Sequence, residues 1–461
     1  MNNSNEMIGI DYNLVKNVLI HKTIGGFALK YYRGYKRPKH IKLFEDIAEK
    51  LVHGKGLKYI IELPPRHGKS VMFSIILPSF FISNNLDKKA LLTSYGYDLS
   101  REFAFKVRNL LTYNNLVKLS INTIDNFETI QGGGLFSAGV GGAITGKGAS
   151  LLILDDPIKN WEEARSKVYR DKTYDWFNST FLTRGEPNAN AVVIQTRWHE
   201  DDLCGRLLRE NSGWIEVKFP ALAIEDDDMI GRKIGEPLWP ERFSLEELLD
   251  KKKRFGSYIW NALYQQNPIS EEVSIFKPSY FRYYEFKDGT YYLEDKSFKD
   301  FDFIFGTADL AIQEKEISDY TAIGIWGIHG DRILLIDRIR EHLQAGEILN
   351  TFKMLYQKYM PNLFYVESFG FQLGFVQQLL ERNIPVVPSY LKGDKFVKAL
   401  AITPFFEASR IYFNRNANYL GELEEELLSF PNGEHDDQVD MISLAITGLT
   451  SSLIVDKPRG L

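Results

Sequence analysis

The stretch "YIIELPPRHGKSV" holds Gly68, Lys69 and Ser70 in consecutive positions between a strand-like run and a helix-like one. These three supply a bare backbone amide, an ammonium and a hydroxyl, the groups that surround nucleotide phosphates and hold Mg²⁺. The glycine that such a loop usually carries five places before Gly68 is Leu63. Pro64-Pro65 can set the turn instead, because proline fixes φ without a left-handed residue. Pro65, Arg66 and His67 would complete the lining, and a surface turn is the alternative for so short a motif. A second run, "LLILDDP", ends in Asp155 and Asp156, about 85 residues after Ser70. Asp155 suits Mg²⁺, through water or through Ser70, and Asp156 stands where a carboxylate polarises an attacking water. Aspartate is a methylene shorter than the usual glutamate, so Glu162 and Glu163 stand in reserve; a plain Asp-Asp-Pro turn is the alternative. In "VVIQTRWHEDD", Gln195 or Thr196 could sense a γ-phosphate and Arg197 could neutralise developing charge, or the segment is an ordinary strand end.

The second half carries a different set. Asp309 in "FGTADLA" and Glu367 in "FYVESFG" end apolar runs, and Asp436-Asp437 in "GEHDDQVDMIS" open a helix-like one. Carboxylates brought together repel unless cations bind them, which points to two Mg²⁺ or Mn²⁺ ions and phosphodiester cleavage. Singly, each could be a turn or cap residue. Asp440 lies one helical turn beyond Asp436 and could support the site, whereas Asp319 suits a cap or turn.

These residues need strands to end beside one another. From Leu57 to about Pro220, the runs "LKYIIEL", "KALLTSY", "ASLLILDD" and "AVVIQT" alternate with amphipathic segments, which predicts an α/β unit with a mostly parallel sheet. Residues 241–270 read as a charged helix, and a second strand series follows, with a hairpin at "HGD", 329–331. A boundary near residues 256–275 divides the chain into 1–265 and 266–461. The 461 residues suit two or three domains, and 44% hydrophobic with 25% charged residues is the composition of a folded soluble protein. No apolar run reaches the roughly 20 residues of a membrane span, and the N-terminal segment lacks the pattern of a secretory signal. Cys204 is the single cysteine, so no intrachain disulfide is expected. A net charge of −5 requires any nucleic-acid contact to come from local basic patches.

In order along the chain, "ELPPRHGKS", "LTSYGYDLSREFAFKVRNLL", "GGAITGKGASLLILDDPIKNWEEA", "TRWHEDDLCGRL", "LYQQNP", "TADLA", "YVES" and "HDDQVD" resemble the large subunit of a tailed-bacteriophage terminase. The resemblance runs from about residue 35 to residue 450 and implies an ASCE-type P-loop ATPase followed by an RNase H-like nuclease. It implies that Lys69 and Ser70 bind ATP and Mg²⁺, that Arg66 acts on the phosphates, and that Thr196-Arg197-Trp198 couples hydrolysis to movement. It implies nuclease metals on Asp309, Glu367 and Asp436, with Asp437 adjacent, and an adenine-contacting segment at "RPKHIKLFEDIAEKL", where His40 is a candidate. The implied partners are double-stranded DNA, a portal protein, a small terminase subunit and further copies in a ring, in the cytoplasm of an infected bacterium. Lys392, Lys395 and Lys398 fall where the resemblance places a DNA-facing region. Lys251, Lys252, Lys253 and Arg254 could contact phosphates, relay motion or form a solvated face. A repair helicase-nuclease would need a DExH box and a second motor domain, and neither is found; a prophage remnant acting only in DNA binding or assembly is the non-enzymatic alternative.

Overall fold

The computed structural model describes residues 22–142, 144, 146–269, 274–310, 320–367, 372–389 and 394–455. Asp319 and Lys392 lie outside them. The chain forms two compact units, residues 1–250 with 259–269, and residues 251–258 with 270–461. The expected single cut after residue 265 thus becomes three crossings: the second unit takes 251–258, and the first keeps 259–269.

The first unit is built on an eight-stranded sheet: β1 (Lys58–Glu62), β2 (Lys89–Ser94), β3 (Leu119–Asn122), β4 (Asn126–Thr129), β5 (Gly134–Gly139), β6 (Ala149–Asp155), β7 (Gly185–Gln195) and β8 (Ile215–Lys218). Their order is β3-β4-β5-β2-β6-β7-β1-β8. All pairings from β5 to β8 are parallel, and only β3-β4 and β4-β5 are antiparallel. The predicted strands are β1, β2, β6 and β7, whose apolar residues are buried on both faces, as parallel strands covered by helices require. The helix Lys39–His53 covers one face with Ile41, Phe44, Ile47, Ala48, Leu51 and Val52, a 3.6-residue stripe. Strand β7 lies between β1, which enters the Lys69 loop, and β6, which ends in Asp155. That interposed strand is the arrangement expected of the ASCE class.

In the second unit the strands are β9 (Arg282–Lys287), β10 (Thr290–Tyr292), β11 (Ser297–Phe298), β12 (Phe303–Asp309), β13 (Thr321–His329), β14 (Arg332–Glu341), β15 (Leu363–Glu367), β16 (Val386–Ser389) and β17 (Ile411–Asn414), in the order β11-β10-β9-β17-β14-β13-β12-β15-β16. The hairpin β13-β14 turns at Gly330-Asp331, since His329 pairs with Arg332. β12 is antiparallel to β13 and parallel to β15, and β15 is parallel to β16. The run β14-β13-β12-β15-β16 is the RNase H-like sheet.

Candidate active sites

In the first unit, Leu63 is fully buried in the core, which explains how a leucine stands where a glycine was expected. The turn still needs left-handed backbone, and Arg66 supplies it at φ 62 with Gly68 at φ 94. The expectation that Pro64-Pro65 would remove this need is therefore corrected: the prolines move the left-handed residue three places on. The φ of Gly68 strains any L side chain there, and a Cβ would also come within 2.9 Å of Ile41 Cδ1. After Ser70 the chain winds through a π-helical turn, Val71–Ile76, before the α-helix Leu77–Asn84.

His40, a candidate for contact with a bound base, is fully buried instead. Its Nε2 donates to the His67 carbonyl at 2.9 Å, and His67 Nδ1 donates to the Pro65 carbonyl at 2.9 Å. Burial pushes both imidazoles down to about 4, so both are neutral and brace the loop from behind.

Lys69 Nζ donates to Asp156 Oδ1 at 2.8 Å and to the Thr196 hydroxyl, and the Thr196 amide donates to the same Asp156 oxygen at 2.9 Å. Three strand ends thus meet at one ammonium. Asp155 is buried; Ser74 donates to its Oδ2 at 2.6 Å, Ser70 bonds it as well, and its Oδ1 has no protein partner. Burial and the neighbouring Asp156 push the Asp155 carboxyl up to about 7, against Lys69 and the two serines. A buried carboxylate oxygen with no donor beside a serine hydroxyl is what a cation site requires. Gln195, by strand alternation, lies on the opposite face from Thr196. Glu163 is a cap residue: its backbone amide donates to Asn160 Oδ1 at 2.9 Å and its carboxylate accepts from the Lys159 amide at 3.0 Å. Glu162 is exposed.

Arg197 is committed elsewhere. Its guanidinium is buried between Glu62 at 3.1 Å and Asp202 at 2.9 Å, and its amide donates to Gln266 Oε1 at 3.0 Å. Burial raises the Glu62 carboxyl to about 8, and Arg197 opposes that shift. The clue to Glu62 in the sequence was a charge closing an otherwise apolar run; nothing there named its partner. Beside the loop lies a cleft of about 630 Å³ lined by Lys36, Arg37, Pro38, Trp239, Glu241 and Arg242. Trp239 meets the His40 ring edge-on at 5.6 Å.

In the second unit, Asp309 and Glu367 end the adjacent strands β12 and β15, one step beyond the Ala308-Val366 pair. Asp436 precedes the helix Asp437–Val455. Burial, with Asp440, Glu367 and Asp437 adding repulsion, drives the Asp309 carboxyl well above the carboxylate range, and Lys395 opposes it. Two lysines of the helix Lys395–Glu407 reach in: Lys395 bonds Asp436 at 2.6 Å and stands 3.7 Å from Asp440, and Lys398 bonds Glu367 at 2.8 Å. Among the described residues, no three Asp, Glu, His or Cys side chains are placed to hold a metal ion as they stand. Asp440 is buried with Oδ1 unpartnered, so an acidic oxygen open to a cation exists here too. Asp437 is held by Arg340 at 3.1 Å while still acting on Asp309, and Asp440 joins the acids beside it. Sequence reasoning did not find Glu426, which accepts from the Gln438 and Val439 amides at 2.6 and 3.2 Å and fixes the start of the Asp437–Val455 helix.

Strand order defines a unit of the P-loop ATPase fold followed by a unit of the RNase H-like fold. Residues 60–281 match the family described as "Terminase large subunit, T4likevirus-type, N-terminal", and residues 306–448 match "Terminase RNaseH-like domain". The large terminase subunit of Enterobacteria phage T3 is 22% identical over 289 residues, 55% of this chain and 49% of that protein, so the chain matches about half the length of this relative. The large terminase of thermophilic bacteriophage D6E, solved with ADP, aligns over 94% of this chain and 99% of its own at 10% identity and a TM-score of 0.45. The magnesium-bound nuclease of the large terminase of thermophilic phage G20c aligns over 38% of this chain and 97% of its own, at 15% identity and a TM-score of 0.29. At such scores the two likenesses add nothing to the fold argued from strand order. The chain belongs to the terminase large-subunit family, whose members act in DNA packaging.

Proposed function

We propose that the first unit hydrolyses ATP to drive double-stranded DNA into a procapsid, and that the second cuts concatemeric DNA when packaging starts and ends. The observation that carries this reading is that one chain sets two chemically distinct groups at the ends of two sheets: Lys69 with Asp155, Asp156 and Thr196, and Asp309 with Glu367, Asp436 and Asp440. In the first, Lys69 neutralises the β- and γ-phosphates, the Gly68 region offers backbone amides, and Asp156, released from Lys69, orients the attacking water. Ser70 and Asp155 would hold Mg²⁺, which supplies charge neutralisation on the phosphates. Trp239 and Arg242 in the adjoining cleft suit the base and ribose of ATP.

In the second unit, Asp309, Glu367, Asp436 and Asp440 would hold Mg²⁺ or Mn²⁺, with Asp437 adjacent; two bound ions would supply an activated water and a stabilised leaving oxygen. Lys395 and Lys398 then turn from the acids to DNA phosphates. A portal protein, a small terminase subunit and a ring of further copies are the partners this activity needs, in the cytoplasm of the infected host. Among the described residues no helix is long and apolar enough to cross a membrane.

The test is plasmid cleavage with Mg²⁺ or Mn²⁺ and ATP hydrolysis in the same samples. Asp309→Ala is expected to stop cutting and keep hydrolysis, and Lys69→Ala to stop hydrolysis. Unchanged cutting by Asp309→Ala would remove the nuclease assignment.

A further inference from the structure

Residues 263–268, LYQQNP, carry two adjacent glutamines with different contacts. Gln265 pairs both amide atoms with the backbone of Leu222, at 3.1 and 3.0 Å. Gln266 is fully buried, adopts left-handed backbone at φ 55, accepts from the Arg197 amide at 3.0 Å and donates to the Leu263 carbonyl. A non-glycine residue persists in that conformation only when its surroundings enforce it. What enforces it here is the closure of the Trp260–Tyr264 turn, where the Asn267 amide donates to the Asn261 carbonyl at 2.8 Å; that closure aims the Gln266 side chain at the peptide next to Thr196, and Thr196 bonds Lys69 and Asp156.

We propose that Gln266 is a positioning residue for ATP hydrolysis, holding the Thr196-Arg197 peptide in place and passing its movement to residues 259–269. This rests on the ATP-hydrolysis reading above. A γ-phosphate draws the Lys69 ammonium from Asp156 and Thr196, and the strain falls on a peptide clamped on both sides. The Arg197 side chain is fixed by Glu62 and Asp202, so the clamp that can yield is the single hydrogen bond to Gln266. The strap that bears Gln266 is bracketed by chain crossings, because residues 251–258 and 270 onward belong to the second unit. A shift at Gln266 therefore acts on the covalent connections between the units.

The experiment measures kcat and KM for ATP in the full chain, for the wild type, Lys69→Ala, Gln266→Met and Gln265→Met, with hydrogen exchange of the wild type with and without ATPγS. Gln266→Met is expected to lower kcat about 10-fold while KM stays within about 3-fold, the signature of misplacement without lost binding. Gln265→Met loses as many hydrogen bonds, so it melts lower but keeps its kcat. Equal kcat losses in the two variants, or none in Gln266→Met, overturn the proposal. If Gln266→Met does not fold, the wild type decides: ATPγS is expected to change exchange in 196–198 and 262–267 together, and an unaltered 262–267 overturns it. A wild type no more active than Lys69→Ala removes the ATP reading itself, and this inference with it.

Discussion

At His40 and His67, burial sets the protonation state. Both imidazoles sit at about 4 in the fold against 6.5 when free. Because the folded value is depressed, the stabilisation is full above pH 6.5 and is lost as pH falls towards 4, about 3 kcal/mol for each histidine. His40→Gln keeps a donor for the His67 carbonyl and does not titrate. Urea midpoints from pH 7 to pH 4.5 are expected to fall less steeply in this variant than in the wild type, and parallel curves would sink the assignment. Glu62→Ala removes one of the two carboxyl acceptors of the buried Arg197 guanidinium; because burial keeps Glu62 largely protonated at neutral pH, what is lost is a hydrogen bond to a charged group, and the expected cost, read from chemical denaturation at pH 7, is about 1–3 kcal/mol. Asp155, Asp309 and Glu367 were legible in the sequence because a charge at the end of an apolar strand is conspicuous, and Lys69 because it stands between Gly68 and Ser70. The partner of Arg197 was not legible, because Glu62 lies 135 residues earlier and spacing says nothing of that approach. The left-handed Arg66 was invisible for a related reason: backbone conformation at a non-glycine residue follows from packing around the loop.

Among the elements, the helix Asp437–Val455 is positioned from outside itself. Glu426 of the helix Leu420–Ser429 takes two of its free first-turn amides and the Gln438 side chain. Arg340 in turn bonds Asp437 and lies 3.7 Å from Glu426. Glu426→Ala is expected to destabilise the second unit by about 1–3 kcal/mol and to reduce metal-dependent cutting, because Asp436 and Asp440 ride on that helix turn. ATP hydrolysis measured alongside should be unchanged; a loss of both activities would point to general misfolding. Strands β1, β2, β6, β7 and β12–β15 were readable because each is a sustained apolar run. The strands β3, β4, β10 and β11, at one end of each sheet, have four residues or fewer, so they carry too little pattern to read. The long helix expected over 241–270 ends at Ile259 with Gly256 at φ 73, followed by a π-helical turn, Trp260–Tyr264.

For the whole molecule, the cluster built on β1, β2 and β6 lies inside the first unit, and the cluster built on β12, β13 and β15 lies inside the second. Calorimetry is therefore expected to resolve two transitions, with ATP and Mg²⁺ raising one and Mn²⁺ alone raising the other. At a ligand concentration 100 times Kd the gain is about 2.7 kcal/mol, and a single transition moved by both ligands would contradict independent cores. The division into two units was legible, since the strand pattern restarts after residue 270. The return of 259–269 to the first unit was not, because it depends on which core a helix side meets. Cys204 has a use beyond these questions. It is the chain's single cysteine, it is fully buried, and burial drives its thiol well above the usual range. Dyes can therefore be attached at chosen surface positions through introduced cysteines without first removing the natural one. The same thiol is a built-in clock for the first unit, because a thiol-specific reagent marks it only when that core opens, and the labelling rate in native buffer counts those openings.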